Sequence, residues 1–590
     1  MRHWRVVVPV CTGSRQAIII ICLRVFSQGQ DNNKKMKSIQ TIPLLVLLFV
    51  PLLSPAQSVV RGPYLQMPTP NSIIIKWRTD IATDSAVGYS VIDGVPSSVS
   101  SIASTTEHEV TLNGLTPDTL YNYTIGSTSQ MLAGGDLSAN GDGEHFFTTA
   151  PLTGTDKETR VWIIGDSGTA DANAAAVRDA YKFVAGARGA DIWLMLGDNA
   201  YADGTDIEYQ AAVFDMYPQM LRQVPLWSAL GNHDLDDMIA NPPGAYPQIF
   251  SFPEVGESGG VGSGTESYYS FDYGNIHFIS LDSSSDANRA AGSDMWSWLE
   301  SDLIANTQDW TIAFWHHPPY TLFYGLAMRE MRENALPLLE LYGADLVLAG
   351  HNHSYKRSFL MNGHYGDPVL LTPAMILDGG DGNEYGDGTY VKPGPAGTAH
   401  EGTVYVVVGT SGKIGNDLYG HPAIYTQMDV LGSMMLDISG NRLDAAFIDS
   451  TGVVQDEFTI IKSPPAVIDI DVDPWSEANL VRPASDNFIP VAILGMSIAA
   501  GDAIDFDTSQ IDFTTLKFGV GEAAMLTVPW VLDVDGDSET DVLAGFRTQD
   551  AGFLCGDTEV SLVGETFTGD AFVGMSTIET IDCESQGCHP

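Results

Sequence analysis

Short apolar runs, most of them ending at a glycine followed by a polar residue, recur through the middle of the chain. Five of these runs predict β-strands, at residues 161–164, 192–196, 226–230, 311–315 and 346–349. The remaining periodicity predicts helices at 172–188, 294–306 and 330–342, and a hairpin at 268–282. Strands that alternate with helices are typical of an α/β domain.

The regions on either side of this part are predicted to be β-structure. The N-terminal one has predicted strands at 72–77, 107–112 and 121–126, and the C-terminal one at 467–472, 490–494 and 542–546. A chain of 590 residues is too long for a single core. We therefore predict a multidomain chain with an all-β sandwich at 58–150, an α/β domain at 155–462 and a β-rich C-terminal module at 466–590.

Metal-ligating residue types follow all five central strands. They are Asp166, Asp198, Tyr201, Asn232, His316, His351 and His353. Ligands of open α/β sheets bind beyond the carboxyl ends of the strands, so these side chains are expected to share one crevice. Carboxylate, amide, phenolate and imidazole groups suit iron, zinc or manganese. The sequence therefore predicts a dinuclear metal site, in which His351 and His353 share a strand face or serve different metals.

These segments, Gly-Asp166-Ser-Gly, Gly-Asp198-Asn-Ala-Tyr201, Gly-Asn232-His233-Asp234, Trp-His316-His-Pro and Gly-His351-Asn-His353, resemble the metallophosphoesterase (calcineurin-like) signature. Tyr201, three residues after Asp198, resembles the purple acid phosphatase branch. The resemblance spans about 160–462 and implies a four-layer α/β/β/α domain. It implies a first metal held by Asp166, Tyr201 and His353, a second held by Asn232, His316 and His351, and Asp198 as the bridge.

The resemblance also implies an activity. It is that of a secreted, acid phosphatase-like phosphomonoesterase, with metal-bound hydroxide attacking a small phosphate ester in line. The two ions would be Fe(III) plus Zn, Fe or Mn. His233 would contact the phosphate and assist the leaving group, oriented by Asp234. A phosphodiesterase on the same site is one alternative, and a surface-binding protein with a vestigial site is another.

The N-terminal region carries a resemblance of its own. The segment from Leu115 to Tyr123 resembles the tyrosine corner of a fibronectin type III sandwich, with Trp77 as a core anchor. A sandwich beside a catalytic domain is interpreted as a scaffold.

Residues 1–56 are interpreted as a leader and secretory signal. Met36 is the expected start, and an apolar stretch at 42–53 precedes small residues. A long-leader export signal is the alternative. Seven of the 28 basic residues but only one of the 74 acidic ones lie there, so residues 57–590 carry a formal charge of −52. This charge disfavours nucleic acid and anionic membranes as partners. The secretory signal implies a periplasmic or extracellular location.

The C-terminal module contains an acidic loop and the last three cysteines. Asp533, Asp535, Asp537 and Asp541 occupy positions 1, 3, 5 and 9 of a loop that resembles the calcium loops of integrin-type repeats. Ser538 replaces the usual Gly at position 6, and an acidic turn without calcium is the alternative. Cys555 and Cys583 are the preferred disulfide pair, with Cys588 as a free thiol or a competing partner.

Overall fold

The computed structural model describes residues 57–582 apart from 323–324, 416, 463–464, 477, 484, 499–501, 503 and 568–570. Several predictions lie outside these residues: the leader at 1–56, Ser463 and Pro464 at the predicted domain boundary, Cys583 and Cys588. In the described part of the chain, no helix is long and apolar enough to cross a membrane.

The N-terminal region is one connected sheet of six strands. The strands are β1 (Val59–Gln66), β2 (Ser72–Val91), β3 (Ser97–Asn113), β4 (Leu120–Gly126), β5 (Met131–Ala133) and β6 (Phe146–Thr148). The backbone N–H of Thr116 donates to Tyr121 Oη at 3.0 Å, which is the hydrogen bond of a tyrosine corner. Trp77 is 1% exposed in the core of this region. Both features fit the fibronectin type III-like prediction.

Two seven-stranded sheets make up the central region. The first has the order β17-β22-β21-β20-β7-β8-β9 and consists of β7 (Thr159–Ile164), β8 (Ile192–Met195), β9 (Leu226–Ser228), β17 (Tyr390–Lys392), β20 (Gly432–Ser439), β21 (Arg442–Asp449) and β22 (Val454–Lys462). The second has the order β10-β11-β12-β13-β18-β14-β19 and consists of β10 (Tyr269–Tyr273), β11 (Ile276–Ser280), β12 (Trp310–Trp315), β13 (Leu346–Ala349), β14 (Tyr355–Ser358), β18 (Val404–Val408) and β19 (Ile424–Met428). A small separate pair is β15 (Leu360–Met361) with β16 (Ile376–Asp378).

Short and long helices connect these strands. The α-helices are α1 (Ala172–Ala185), α2 (Asp206–Tyr209), α3 (Pro218–Leu221), α4 (Asn232–Ala240), α5 (Tyr246–Ile249), α6 (Asp286–Arg289), α7 (Asp294–Ala305) and α8 (Leu326–Leu341). Helix α1 ends three residues before the prediction, because Gly186 has φ 58° and breaks the helical backbone. Helix α8 begins four residues earlier than predicted, directly after Gly325.

Alternate residues of the second sheet pack into two different cores, which explains the four layers. Ile312 and Phe314 of β12 lie in the core shared with the first sheet, whereas Ala313 and Trp315 face α7 and α8. On the far side of the first sheet, Trp162 stacks on Tyr181 of α1 at 4.6 Å between ring centroids. Both sheets are thus buried on two faces, which agrees with the continuous apolar sequence of their strands.

The N-terminal sheet is tied to the central region beside the loop that follows β8. Arg61 and Arg78 both donate to the carboxylate of Asp206, at 2.8 and 2.7 Å. Tyr64 donates its hydroxyl to the carbonyl of Ile249 at 2.7 Å. The two arginine bonds hold α2 in place, a few residues after Tyr201, and the tyrosine bond holds the end of α5.

The C-terminal region is an eight-stranded sheet with a core of its own. Its strands are β23 (Ala466–Val472), β25 (Phe488–Ile493), β26 (Ile511–Phe518), β27 (Ala523–Ala524), β28 (Trp530–Leu532), β29 (Asp541–Arg547), β30 (Glu559–Thr566) and β31 (Ala571–Thr577), and a further pair is β24 (Leu480–Val481) with β32 (Glu579–Thr580). The fold class is therefore as predicted: β-rich, then α/β/β/α, then β-rich. The exact domain boundaries stay predictions.

Candidate metal centre

The predicted ligands follow parallel strands in both central sheets. Asp166 and Asp198 come after β7 and β8, and Asn232 begins α4 after β9. His316 and His351 come after β12 and β13 of the other sheet. The carboxyl ends of parallel strands meet at one edge. Ligand atoms of Asp166, Asp198 and His316 accordingly lie within 4.8 Å of one another.

Three of the ligands have left-handed backbone conformations. Their φ angles are 54° at Asp166, 51° at Asp198 and 66° at His351, a region that non-glycine residues seldom adopt. The glycines before the ligands serve close approach: a Cβ on Gly231 would lie 2.0 Å from the backbone nitrogen of Asp198. The sharp turn is therefore made at these ligands themselves and, before Asp198, also at Gly197 with φ 87°. Gly231 lets two strand ends touch.

One group of ligands gathers around the hydroxyl of Tyr201. Tyr201 Oη lies 3.1 Å from Asp166 Oδ1 and 3.0 Å from Asp198 Oδ2. His353 Nε2 lies 3.3 Å from the same Asp166 Oδ1. We call Asp166, Tyr201 and His353 the tyrosine cluster.

A second group gathers around the amide oxygen of Asn232. Asn232 Oδ1 lies 3.2 Å from His316 Nε2 and 3.0 Å from His351 Nδ1. The two ring nitrogens are themselves 3.2 Å apart. Three donor atoms that converge on one point are arranged as the ligands of one cation would be. We call Asn232, His316 and His351 the asparagine cluster.

Asp198 lies between the two clusters. Its Oδ2 faces Tyr201 at 3.0 Å, and its Oδ1 faces His316 Nε2 at 3.2 Å. One carboxylate oxygen is therefore directed to each cluster, which is the geometry of a bridging ligand. The family resemblance implies the same two groups of ligands, and which residues bind which metal stays a prediction.

The electrostatics of the site favour bound cations. Asp166 is 0% and Asp198 2% exposed, and among the described residues their ion-pair partners within 4.0 Å are histidines. Buried carboxylates of this kind are paired or coordinate metals. Burial alone would lower the pKa of His316, but the carboxylate of Asp198 raises it to about 9. Burial, Asp166 and Asp198 together raise the pKa of Tyr201, so a phenolate there needs a nearby cation.

Hydrogen bonds also orient the imidazoles. His316 Nδ1 lies 2.8 Å from the carbonyl oxygen of Leu196, which leaves Nε2 for the site. The neighbouring His317 is also buried. Its ring centroid lies 4.4 Å from that of His351, and its Nδ1 lies 3.1 Å from Ser283 Oγ. His317 therefore packs behind the asparagine cluster.

His233 lies at the mouth of the site, but Asp234 does not orient it as predicted. The His233 ring is one-third exposed, with Nδ1 2.5 Å from the carbonyl oxygen of Ala202. Asp234 is fully buried, and its carboxylate accepts hydrogen bonds from the backbone N–H groups of Gly231 and Asn199. The predicted catalytic role of Asp234 is therefore corrected: Asp234 fixes two strand ends, and Ala202 orients His233.

Lys413 is a member of the site that the sequence reasoning did not identify. It follows β18, the strand next to β13, and its Nζ lies 3.5 Å from the centroid of the Tyr201 ring. A sequence signal was present, because Val404–Val408 is another apolar run followed by Gly and polar residues.

The predicted calcium loop is partly assembled. Ligand oxygens of Asp533, Asp535 and Asp541 lie within 4.8 Å of one another. Asp537 is not a member of this group, and its carboxylate accepts the backbone N–H of Glu539 at 2.7 Å. Ser538 has φ 78°, so position 6 does require the left-handed backbone that glycine usually supplies. Calcium binding stays a prediction.

Of the two cysteines in the predicted disulfide, only Cys555 lies in the described part of the chain. Cys555 is disulfide-bonded. The pairing with Cys583 stays a prediction, because Cys583 lies outside the described residues.

Comparison with known proteins agrees with this geometry. The calcineurin-like phosphoesterase family model matches residues 159–355, which include every proposed metal ligand. Residues 159–355 form a calcineurin-like phosphoesterase domain. The family model does not extend to the N-terminal and C-terminal sheets.

Purple acid phosphatases are relatives of this domain. Purple acid phosphatase 15 of Arabidopsis thaliana is 29% identical over 308 residues, covering 46% of this chain and 53% of the relative. Purple acid phosphatase 23 of the same plant is 27% identical over 305 residues, covering 46% of this chain and 62% of the relative. The chain thus spans about half the length of the curated relatives it matches.

A solved structure shows the same fold. The purple acid phosphatase PPD1 from yellow lupin (Lupinus luteus) seeds superposes with a TM-score of 0.52 at 18% identity, over 68% of this chain and 75% of that one. The likeness at this level of identity concerns the fold alone, which is shared with a known phosphatase.

Proposed function

We propose that the chain is a metal-dependent phosphomonoesterase of the acid phosphatase type. The observation that carries this proposal is the position of Asp198, which directs one oxygen to each of two ligand clusters. The likeness of the domain to purple acid phosphatases supports the same reaction class. The sequence of residues 1–56 supports export, and the substrate would be a small phosphate ester.

The donor set fits two cations. The tyrosine cluster would hold one and the asparagine cluster the other, with Asp198 shared. A phenolate donor favours a ferric ion at the first position, and zinc, iron or manganese suits the second. When bound, two such ions supply Lewis acidity that polarises a phosphoryl oxygen and activates water.

His233 would transfer a proton to the leaving oxygen. The carbonyl of Ala202 can only accept, so Nδ1 of His233 is the donor in that bond. Nε2 is thereby left facing the site, 3.9 Å from Asp198 Oδ2. A proton on this nitrogen can be donated to an alkoxide as it leaves, which is general acid catalysis.

The two alternatives make different predictions. A vestigial site would not need both clusters and the bridge, all of which are assembled here. A phosphodiesterase would use the same ligands but prefer an ester with one negative charge to an ester with two. Comparing the hydrolysis of an aryl phosphate with that of a bis-aryl phosphate therefore distinguishes a phosphomonoesterase from a phosphodiesterase.

The experiment is hydrolysis of both substrates by wild type and by the variants Asp198→Ala and His351→Ala, with metal content measured for each. Both variants should fall to background because a bridge or a ligand is removed. Asp179→Ala is the control, since this aspartate is 63% exposed on α1. Full activity in Asp198→Ala would contradict the proposed site, and a preference for the diester would favour the phosphodiesterase.

A further inference from the structure

A glycine-rich loop after β18 covers one side of the metal centre. It runs from Gly409 to Gly415 and carries Lys413. The N–H of Ser411 donates to the carbonyl of Gly165 at 3.1 Å, and the N–H of Gly415 donates to the carbonyl of His353 at 2.8 Å. The loop is thus bonded directly to the segments that carry two ligands of the tyrosine cluster.

Two cationic or titratable side chains contact the ring of Tyr201. The ammonium of Lys413 lies over its face, 3.5 Å from the centroid. The ring of His233 meets it edge-on, with the centroids 4.8 Å apart and the planes at 71°. Lys413 and His233 therefore both lie beside Tyr201, a proposed ligand of the first metal, and the substrate phosphate would bind next to the metals.

The pairing of Lys413 differs from that of the other described lysines. Six of those lysines form an ion pair with a carboxylate: Lys76, Lys157, Lys356, Lys392, Lys462 and Lys517. Lys182 donates to Gln219. In the described part of the chain, Lys413 has no carboxylate within 4.0 Å, and the charges that act on it are those of Asp166 and Asp198.

We propose that Lys413 binds the phosphate group of the substrate and favours doubly charged monoesters over singly charged diesters. The proposal rests on the proposed function, because it requires that cations in the site compensate Asp166 and Asp198. The charge of Lys413 is then available to the phosphate oxygens. A dianion gains about twice the Coulomb energy of a monoanion from a cation at the same distance.

The negative charge of the whole chain makes a cation at the site more significant for the binding of an anionic substrate. The formal net charge is −46, and a surface of that sign repels anionic substrates. A cation fixed at the mouth, partly buried and therefore weakly screened, offsets this repulsion where the substrate binds.

The test is calorimetric titration of the metal-loaded full chain with inorganic phosphate. Lys413→Met removes the charge at nearly constant length, and it should weaken phosphate binding by roughly 10- to 100-fold, the usual effect of losing a hydrogen bond to a charged group. Lys413→Arg should bind within a few-fold of wild type. Lys517→Met is the matched control, because Lys517 lies in the C-terminal sheet and should have no effect.

Kinetics provide the second measurement. In Lys413→Met the ratio of kcat/KM for an aryl phosphate to that for a bis-aryl phosphate should fall, since the dianion loses more. Unchanged phosphate binding with both metals retained would overturn the proposal, as would loss of the metals, which would make Lys413 a structural residue. A wild type that binds no phosphate and hydrolyses no ester would instead contradict the proposed function itself.

Discussion

We predict that His277 makes the phosphoesterase domain less stable as the pH rises through the alkaline range. It lies in β11, is 1% exposed, and is held between two carboxylates: Nδ1 is 2.7 Å from Asp272 Oδ1 and Nε2 is 2.9 Å from Asp302 Oδ2. Asp302 also accepts from Ser270 and from the N–H of Val261. Burial alone would lower the pKa of His277, but the two carboxylates raise it to about 9.

The sign and size follow from linkage. A histidine whose pKa is higher in the folded than in the unfolded chain stabilises the fold by binding a proton more tightly there. This stabilisation is complete below the pKa of the unfolded chain, about 6.5, and disappears as the pH rises through about 9, the pKa in the folded chain. That difference corresponds to roughly 3 kcal/mol of unfolding free energy. Asp272→Asn removes one of the two carboxylates, so it should lower the pKa of His277 and flatten this dependence.

Urea unfolding of the metal-loaded chain, followed by tryptophan fluorescence at intervals between about pH 6 and pH 10, measures the effect. The stability difference between wild type and Asp272→Asn should be largest near pH 6 and should shrink as the pH rises. Asp286→Asn is the control, since the Asp286 side chain is 90% exposed. A difference that is constant across the range would refute the assignment of a charged His277 to this cluster.

Three further predictions concern the site and the C-terminal module. His233→Ala should retain both metals yet turn over roughly 10²- to 10⁴-fold more slowly. The loss should shrink for esters with good leaving groups, and an equal loss for good and poor ones would exclude His233 as the proton donor. A chain ending at Lys462 should keep metals and activity, because every proposed ligand precedes Ser354; an inactive truncation would mean that the C-terminal module supports the domain. Calcium should raise the melting temperature of the C-terminal module in wild type but not in Asp535→Asn, and no shift in wild type would make the loop an acidic turn.

The strand ends could be predicted because apolar runs followed by glycine are local features of the sequence. The ligand types behind them then determined the site, since parallel strands bring their carboxyl ends together. Residues 97–106 of β3 illustrate what could not be predicted. They are mostly exposed and polar, so they show no apolar alternation, and they are strand because they extend a hairpin with the preceding strand β2, in which Tyr89 pairs with Ser97.

Asp234 and Lys413 show a different limit, because a local sequence signal precedes each of them but does not reveal which groups they contact. Asp234 lies three residues after Gly231, the N-cap of α4, and an acid at this position often bonds the N-cap N–H, as it does here. That local signal was available, but the proximity to His233 suggested catalysis instead. Lys413 follows an apolar run that ends at a glycine, but its position beside Tyr201 depends on β18 lying next to β13, far away in the sequence.

Metal content together with the visible spectrum tests the central claim most directly, which is that Asp198 joins two metal sites with Tyr201 in one of them. Wild type should hold two metals per chain, one ferric, and be coloured pink to purple by phenolate-to-iron charge transfer. Tyr201→Phe should lose the colour while the fold is kept. A wild type with fewer than two metals per chain when metal is in excess would contradict the dinuclear site. Two metals in a colourless wild type would contradict only the assignment of iron to Tyr201.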